Sequence, residues 1–86
     1  MDIRFKKAVA LHYRSQLPAP VVIAKGKGLV ADRLIKIAEN NKIPIVENTE
    51  LTNLLYKIDI SNYIPEELYK AVAEILLFIN KIEKEV

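Results

Sequence analysis

The 86-residue sequence has no cysteine, one histidine, two glycines, four prolines and no apolar run long enough to cross a bilayer. Without cysteine there is no disulfide to staple a small fold, and nothing points to an oxidising compartment. With a single imidazole, His12, and no second ligand at suitable spacing, no metal site is expected. So few glycines and prolines argue against a disordered or low-complexity chain. A membrane-spanning helix needs about 18–20 apolar residues, so direct membrane insertion is not expected. The start, MDIRFKK, is charged and is not followed by a signal-peptide apolar region, which makes the cytoplasm the expected location.

What is present is aliphatic. Hydrophobic residues make up 51% of the chain, mostly Ile, Leu, Val and Ala. The length fits one domain, residues 1–86, with a thin core for which those aliphatic side chains must suffice. Net charge is only +2, but it is unevenly spread. Residues 1–43 hold nine Lys/Arg against three Asp/Glu, and residues 44–86 hold four against eight. Solvated faces account for this most simply; the sharper reading is a basic patch that meets an acidic partner.

Along the chain, Phe5, Val9, Leu11 and Tyr13 alternate through Arg4 to Arg14 with Lys7 the exception, the period of a strand with one buried face. Pro18 and Pro20 mark a loop from Ser15. Val21 to Ala24 form a continuous apolar run, the pattern of a strand covered on both faces. Lys25 to Gly28 (KGKG) reads as the turn into a helix from Leu29 to about Asn41, with Val30, Leu34, Ile37 and Ala38 as its inner stripe. Asn40 and Asn41 suit its end, since asparagine tolerates left-handed backbone. Ile43 to Val46 reads as a second buried strand, and strand–helix–strand predicts a parallel pair. Asn48 or Thr49 caps a short helix through Tyr56. In the connection that follows, Ile58 and Ile60 are expected to reach the core. Pro65 starts a last helix whose stripe is Leu68, Val72, Ile75, Ile79 and Ile82, widened by Leu76 and Phe78. The expected fold is a small single-domain α/β sandwich: a mixed sheet of about three strands flanked by three helices.

Catalytic signals are thin. His12 falls inside the first strand, Ser15 and Ser61 have no neighbouring base, and Glu66 and Glu67 point about 100° apart at a helix start. No catalytic residue and no cofactor is expected. The KGKG turn is the best small-ligand candidate, with Lys25 and Lys27 beside a helix N-terminus, but it lacks phosphate-loop spacing. Anion or nucleic-acid binding by the basic half and this turn is the alternative class; no recognised motif supports it, and no nucleic acid is expected.

Several stretches together resemble one family. VVIAKG (21–26) precedes LVADRL (29–34), Ile37 and Ala38; then come IPIVEN (43–48), Leu51, Leu54-Leu55-Tyr56 and IPEELYKAVAE (64–74). Their order is similar to that of the C-terminal cytoplasmic domain of the FlhB family, export-gate and switch proteins of flagellar type III secretion. The resemblance implies a protein-interaction domain beside the export channel. In most members an Asn-Pro-Thr-His turn cleaves itself, the Asn amide attacking its own carbonyl. Ile3, Arg4, Phe5 and Lys6 stand at those four positions here, and no Asn-Pro pair occurs anywhere, so no self-cleavage is expected. Thr49-Glu50 stands where many relatives carry two prolines, and Asp32 where an apolar residue is common.

The expected function is therefore docking on the export apparatus by a stand-alone FlhB-like chain. The expected partners are the membrane part of a full-length relative, export substrates or their chaperones. The strand edge at Arg4 to Tyr13 is the candidate docking site, with Arg4, Lys6, Lys7, Arg14, Lys25, Lys27 and Arg33 as candidate contacts. Arg33 is equally suited to pair with Asp32 or Glu47.

Overall fold

The structure is a computed structural model that describes residues 6–84, with side chains through Ile79. Two strands and three helices are ordered β1 (Lys7–His12), β2 (Val21–Lys27), α1 (Leu29–Asn40), α2 (Thr49–Tyr56) and α3 (Tyr69–Lys84). A single 3-10 turn, Glu66–Leu68, leads into α3 behind Pro65. This is the expected small α/β domain with three helices and a short sheet.

β1 and β2 pair antiparallel. Residues directly opposite one another share a face of the sheet. On one face lie Ala8 against Gly26 and Ala10 against Ala24; on the other lies Val9 against Lys25. The register then slips, so that Leu11 meets Val22 and Ile23 is the extra residue of a bulge. The small-residue face carries α1. Gly26 lies so close to Val30 that a β-carbon there would overlap its side chain. The opposite face carries the core: Val22, Leu51, Leu55, Ile64 and Val72 are buried, and Val9, Leu11, Leu68, Ile75 and Leu76 pack around them. The outer end of β2 is closed by residues 61–63, where Ser61 and Asn62 exchange backbone hydrogen bonds with Val22 at 2.7 and 3.0 Å. The sheet thus lies between α1 and the α2–α3 layer.

Several expectations need correcting. Ile43 to Val46 is extended but is not a strand, and no backbone hydrogen bond joins it to β2. Among the described residues the sheet is antiparallel, without the parallel strand–helix–strand unit. The aliphatic run satisfied the pattern of a buried strand, but a strand also needs a neighbour to bond, and β2 already has β1 on one side and residues 61–63 on the other. Lys25 to Lys27 are strand rather than turn; Gly28 alone makes the bend, with φ 60°. The inner face of α1 is Ala31, Leu34, Ile35 and Ala38, while Val30 and Ile37 are exposed. Ile23, Ile60 and Phe78 are likewise exposed, and Tyr13 lies about half out.

Helix ends follow local chemistry. The Asn48 side chain accepts from the Leu51 N–H at 3.0 Å and caps α2. At the end of α1 the left-handed residue is Lys42, φ 58°, rather than either asparagine. The Ile43 N–H donates to Ala38 O and the Lys42 N–H to Glu39 O, the paired closure that commonly ends a helix.

Candidate docking surfaces

The basic candidates divide three ways. Lys6 and Lys7 sit at the start of β1, and Lys27, at the end of β2, is the register partner of Lys7. Lys6 Nζ lies 3.7 Å from Asp32 of α1, and Lys36 reaches the other Asp32 oxygen at the same distance. Asp32 therefore takes the cation pairing, and its partners are Lys6 and Lys36 rather than Arg33. Arg33 is exposed on α1, and Arg14 is exposed beyond the opposite end of β1. Arg4 lies outside the described residues. Structure thus gathers Lys6, Lys7 and Lys27 at one end of the sheet and leaves Arg14 and Arg33 elsewhere.

Lys25 is a correction of its own. Its ammonium donates to the carbonyls of Tyr56 and Ile58, each at 2.9 Å, and lies 5.2 Å from the Tyr56 ring centre. It ties the carbonyl end of α2 to the sheet. Lys7 faces the same ring at 5.3 Å. With Lys25 committed and residues 25–27 in a strand, the anion-binding turn read from KGKG does not exist.

What sequence reading missed is apolar. A groove of ≈ 950 Å³ runs beside the outer edge of β1. Its roof is the inner face of α1, Leu34, Ile35 and Ala38. Its floor comes from α2 and α3, with Leu51, Leu55 and Ile75. Its far wall is the segment 43–48, where Ile43, Ile45 and Val46 are 55%, 46% and 42% exposed. A second, smaller groove of ≈ 540 Å³ lies between the 13–20 loop and α3, lined by Tyr13, Pro18, Pro20, Tyr69 and Leu77. The only signal for either was the abundance of aliphatics in a chain too short to bury them all. Among the described residues no helix is long and apolar enough to cross a membrane.

Known proteins carry the same pattern. The sequence pattern of the FlhB HrpN YscU SpaS family matches residues 5–79. The uncharacterized protein YlqH of Bacillus subtilis is 49% identical over 82 residues, covering 94% of this chain and 88% of that protein. The flagellar biosynthetic protein FlhB of Aquifex aeolicus is 43% identical over 81 residues, covering 92% of this chain and 23% of its own length. In three dimensions the crystal structure of the PscU C-terminal domain superimposes with TM-score 0.80 at 32% identity, over 85% of this chain and 95% of that one.

Proposed function

Because the chain belongs to the FlhB HrpN YscU SpaS family, we propose that it is a non-catalytic docking module of the type III protein export apparatus. In this reading it sits in the cytoplasm against the membrane part of a longer relative and influences which substrates are exported. The observation that supports it best is the bare edge of β1: among the described residues β1 pairs with β2 alone, and its outer side opens on the apolar groove. An unpaired edge is a ready template for another chain. The flagellar relatives are about four times longer than the matched region, so they have chain to offer. The match to YlqH along most of that protein favours a domain that works on its own.

Co-purification tests the reading. The tagged chain is expected to retain a family relative truncated before this domain, and failure to retain it removes the docking role. Lys7→Glu with Lys27→Glu is expected to weaken retention at low salt, since Lys7 lines the groove and Lys27 is its register partner in the sheet; unchanged retention removes them from the interface.

The Tyr13–Pro18–Tyr69 groove favours a second reading, direct binding of export substrates or their chaperones, because the exposed Tyr13, Pro18 and Tyr69 suit an apolar peptide. Tyr69→Ala that abolishes substrate binding but spares the co-purification would separate the two. Self-cleavage is not part of either reading. The positions of the cleavage motif, Ile3 to Phe5, lie outside the described residues, and Lys6 is the fourth. No Asn-Pro bond is available there, so intact mass is expected to stay that of all 86 residues after days at neutral pH.

A further inference from the structure

We infer that the outer edge of β2, at Lys25 and Lys27, is a docking edge of its own, and that it takes a short extended segment of another protein in which acidic and apolar residues alternate. This goes beyond the docking role proposed above, which is argued from β1, and rests on it only for the identity of the partner.

Hydrogen-bond parity singles out this edge. Along an antiparallel pair the residues alternate: one exchanges hydrogen bonds with the partner strand, and the next turns its N–H and C=O away from it. The Gly28 N–H donates to Lys6 O at 2.8 Å, one step beyond the Lys7–Lys27 pair. Counting back from there, Gly26 bonds to Ala8, while Lys27 and Lys25 turn their backbone groups outward. Val22, past the bulge, also faces outward and is satisfied: the Ser61 N–H donates to its carbonyl and its own N–H donates to Asn62 O. Among the described residues no backbone group does the same for Lys25 or Lys27. Backbone N–H and C=O groups are obligatory hydrogen-bonding groups, and an added strand satisfies both residues at once.

Charge sets what that strand carries. Residues aligned across a ladder share a face, so the partner residues beside Lys25 and Lys27 lie on the face that also holds Val9 and Lys7. That face is basic at this end. Lys7, Lys27 and Lys57 are exposed, and none makes an ion pair among the described residues. The adjoining 56–60 connection, tied to Lys25 through Tyr56 O and Ile58 O, brings one acid, Asp59. Carboxylates suit both of those partner positions. The residue between them falls on the opposite face beside Gly26, where Val30 packs and is still 51% exposed, so an apolar side chain suits it. A second copy of β2 does not fit. Pairing two such edges antiparallel sets Lys25 or Lys27 against another lysine, and like charges directly opposite are destabilising.

The test uses the whole 86-residue chain, isotope-labelled, with the synthetic peptide Thr-Glu-Val-Glu-Val-Glu-Thr as the probe. Its control carries glutamine for each glutamate. At saturating acidic peptide, amide exchange is expected to slow about tenfold or more at Lys25 and Lys27, and to stay unchanged at Lys7 and Val9, whose amides face outward on β1. The glutamine peptide is expected to bind at least about fivefold more weakly. Lys27→Pro removes an outward donor without removing a bond of the β1–β2 ladder, so it should abolish the protection of Lys25 and leave the helical circular dichroism unchanged. Lys27→Gln keeps that donor and is expected to weaken the peptide about fivefold; it decides the matter alone if the proline variant fails to fold. Protection at Lys7 and Val9 instead, equal binding of the glutamine peptide, full binding by a folded Lys27→Pro, or unchanged affinity in Lys27→Gln overturns the inference. So does protection without peptide that grows with protein concentration, which makes the occupant a second copy. Protection present in the free chain and lost on deleting residues 1–5 makes it the chain's own N-terminus, and overturns it too. Peptide protection without co-purification of the family relative upholds the edge and removes the export partner; co-purification without protection at Lys25 and Lys27 does the reverse.

Discussion

The two sides of the central sheet are built to different standards. Beneath it, Val22, Leu51, Leu55, Ile64 and Val72 are closed from water. Above it and beyond the edge of β1, only Ala31 of α1 is buried, and the aliphatics of the 43–48 segment stand about half in solvent. Both sides use the same residue types. The difference lies in what each has to pack against. The lower core is closed by α2, α3 and the returning 61–64 segment, all contributed by the chain. The groove has two walls, a roof and a floor, and nothing among the described residues between them. Aliphatic composition alone does not say which positions are closed into the core and which line an open groove; neighbours do.

Truncation on each side sharpens that contrast most. Ile64→Ala is expected to cost about 2–5 kcal/mol, since Ile64 is 2% exposed and its truncation leaves a cavity in the core. A domain of this length is stable by roughly 5–10 kcal/mol at most, so the variant should be largely unfolded in mild denaturant. Ile45→Ala, on the groove wall, is expected to cost less than about 1 kcal/mol. Urea unfolding of both variants measures the gap. Equal costs would mean that the groove closes in solution, and the distinction between the two sides would be lost.

The next test is on the sheet face beneath α1. Gly26 has no β-carbon because Val30 occupies its place. Gly26→Ala is expected to destabilise by about 1–3 kcal/mol through overpacking. Adding Val30→Ala should return part of that loss, since Val30 is itself half exposed and gives up little. Thermal unfolding of the single and double variants reads the coupling. A fully additive pair would show that α1 is free to lift away from the sheet.

These two sites also show where sequence reading succeeds and stops. Five of six expected elements appear, because alternation at Val9 and Leu11, the Asn48 cap and the stripe at Leu68, Val72 and Ile75 are local signals in local structure. The sixth, Ile43 to Val46, carries the right residues but lacks a partner, and pairing is not a local property. In α1 the expected stripe holds at Leu34 and Ala38, but Ala31 and Ile35 turn inward in place of Val30 and Ile37, because the sheet face beneath the helix offers only small residues, Ala8, Ala10, Ala24 and Gly26. Lys6 and Lys7 were legible as charges at a strand start. Lys25 was legible as a charge too, but its carbonyl partners are 31 and 33 residues away, and no spacing announces them.

Lys25 supplies the third prediction. Lys25→Met keeps most of the stem but removes the donor to Tyr56 and Ile58, and is expected to cost about 1–3 kcal/mol. Lys27→Met, on the same strand but exposed, should change stability by less than about 0.5 kcal/mol. If the two lysines prove equivalent, the tie between the sheet and the end of α2 contributes nothing, and Lys25 returns to the pool of charges free for a partner.

The smallest expected effect is a gain. Lys42 holds left-handed backbone, φ 58°, immediately before the open segment, and it does so to close α1 through Ile43 N–H on Ala38 O at 2.9 Å. Glycine meets no side-chain penalty in that conformation, but it also gives the unfolded chain more freedom, so the two effects partly cancel. Lys42→Gly is expected to stabilise by about 0.5–1 kcal/mol, a rise of a few degrees in melting temperature for a domain this small. The same substitution speaks to the contrast between the two sides. The helix end is fixed by its own backbone bonds and owes nothing to the groove, so the gain should be the same in the Ile45→Ala background. A gain that vanished in the Ile45→Ala background would mean that the open segment, and not the helix closure, sets the backbone at residue 42.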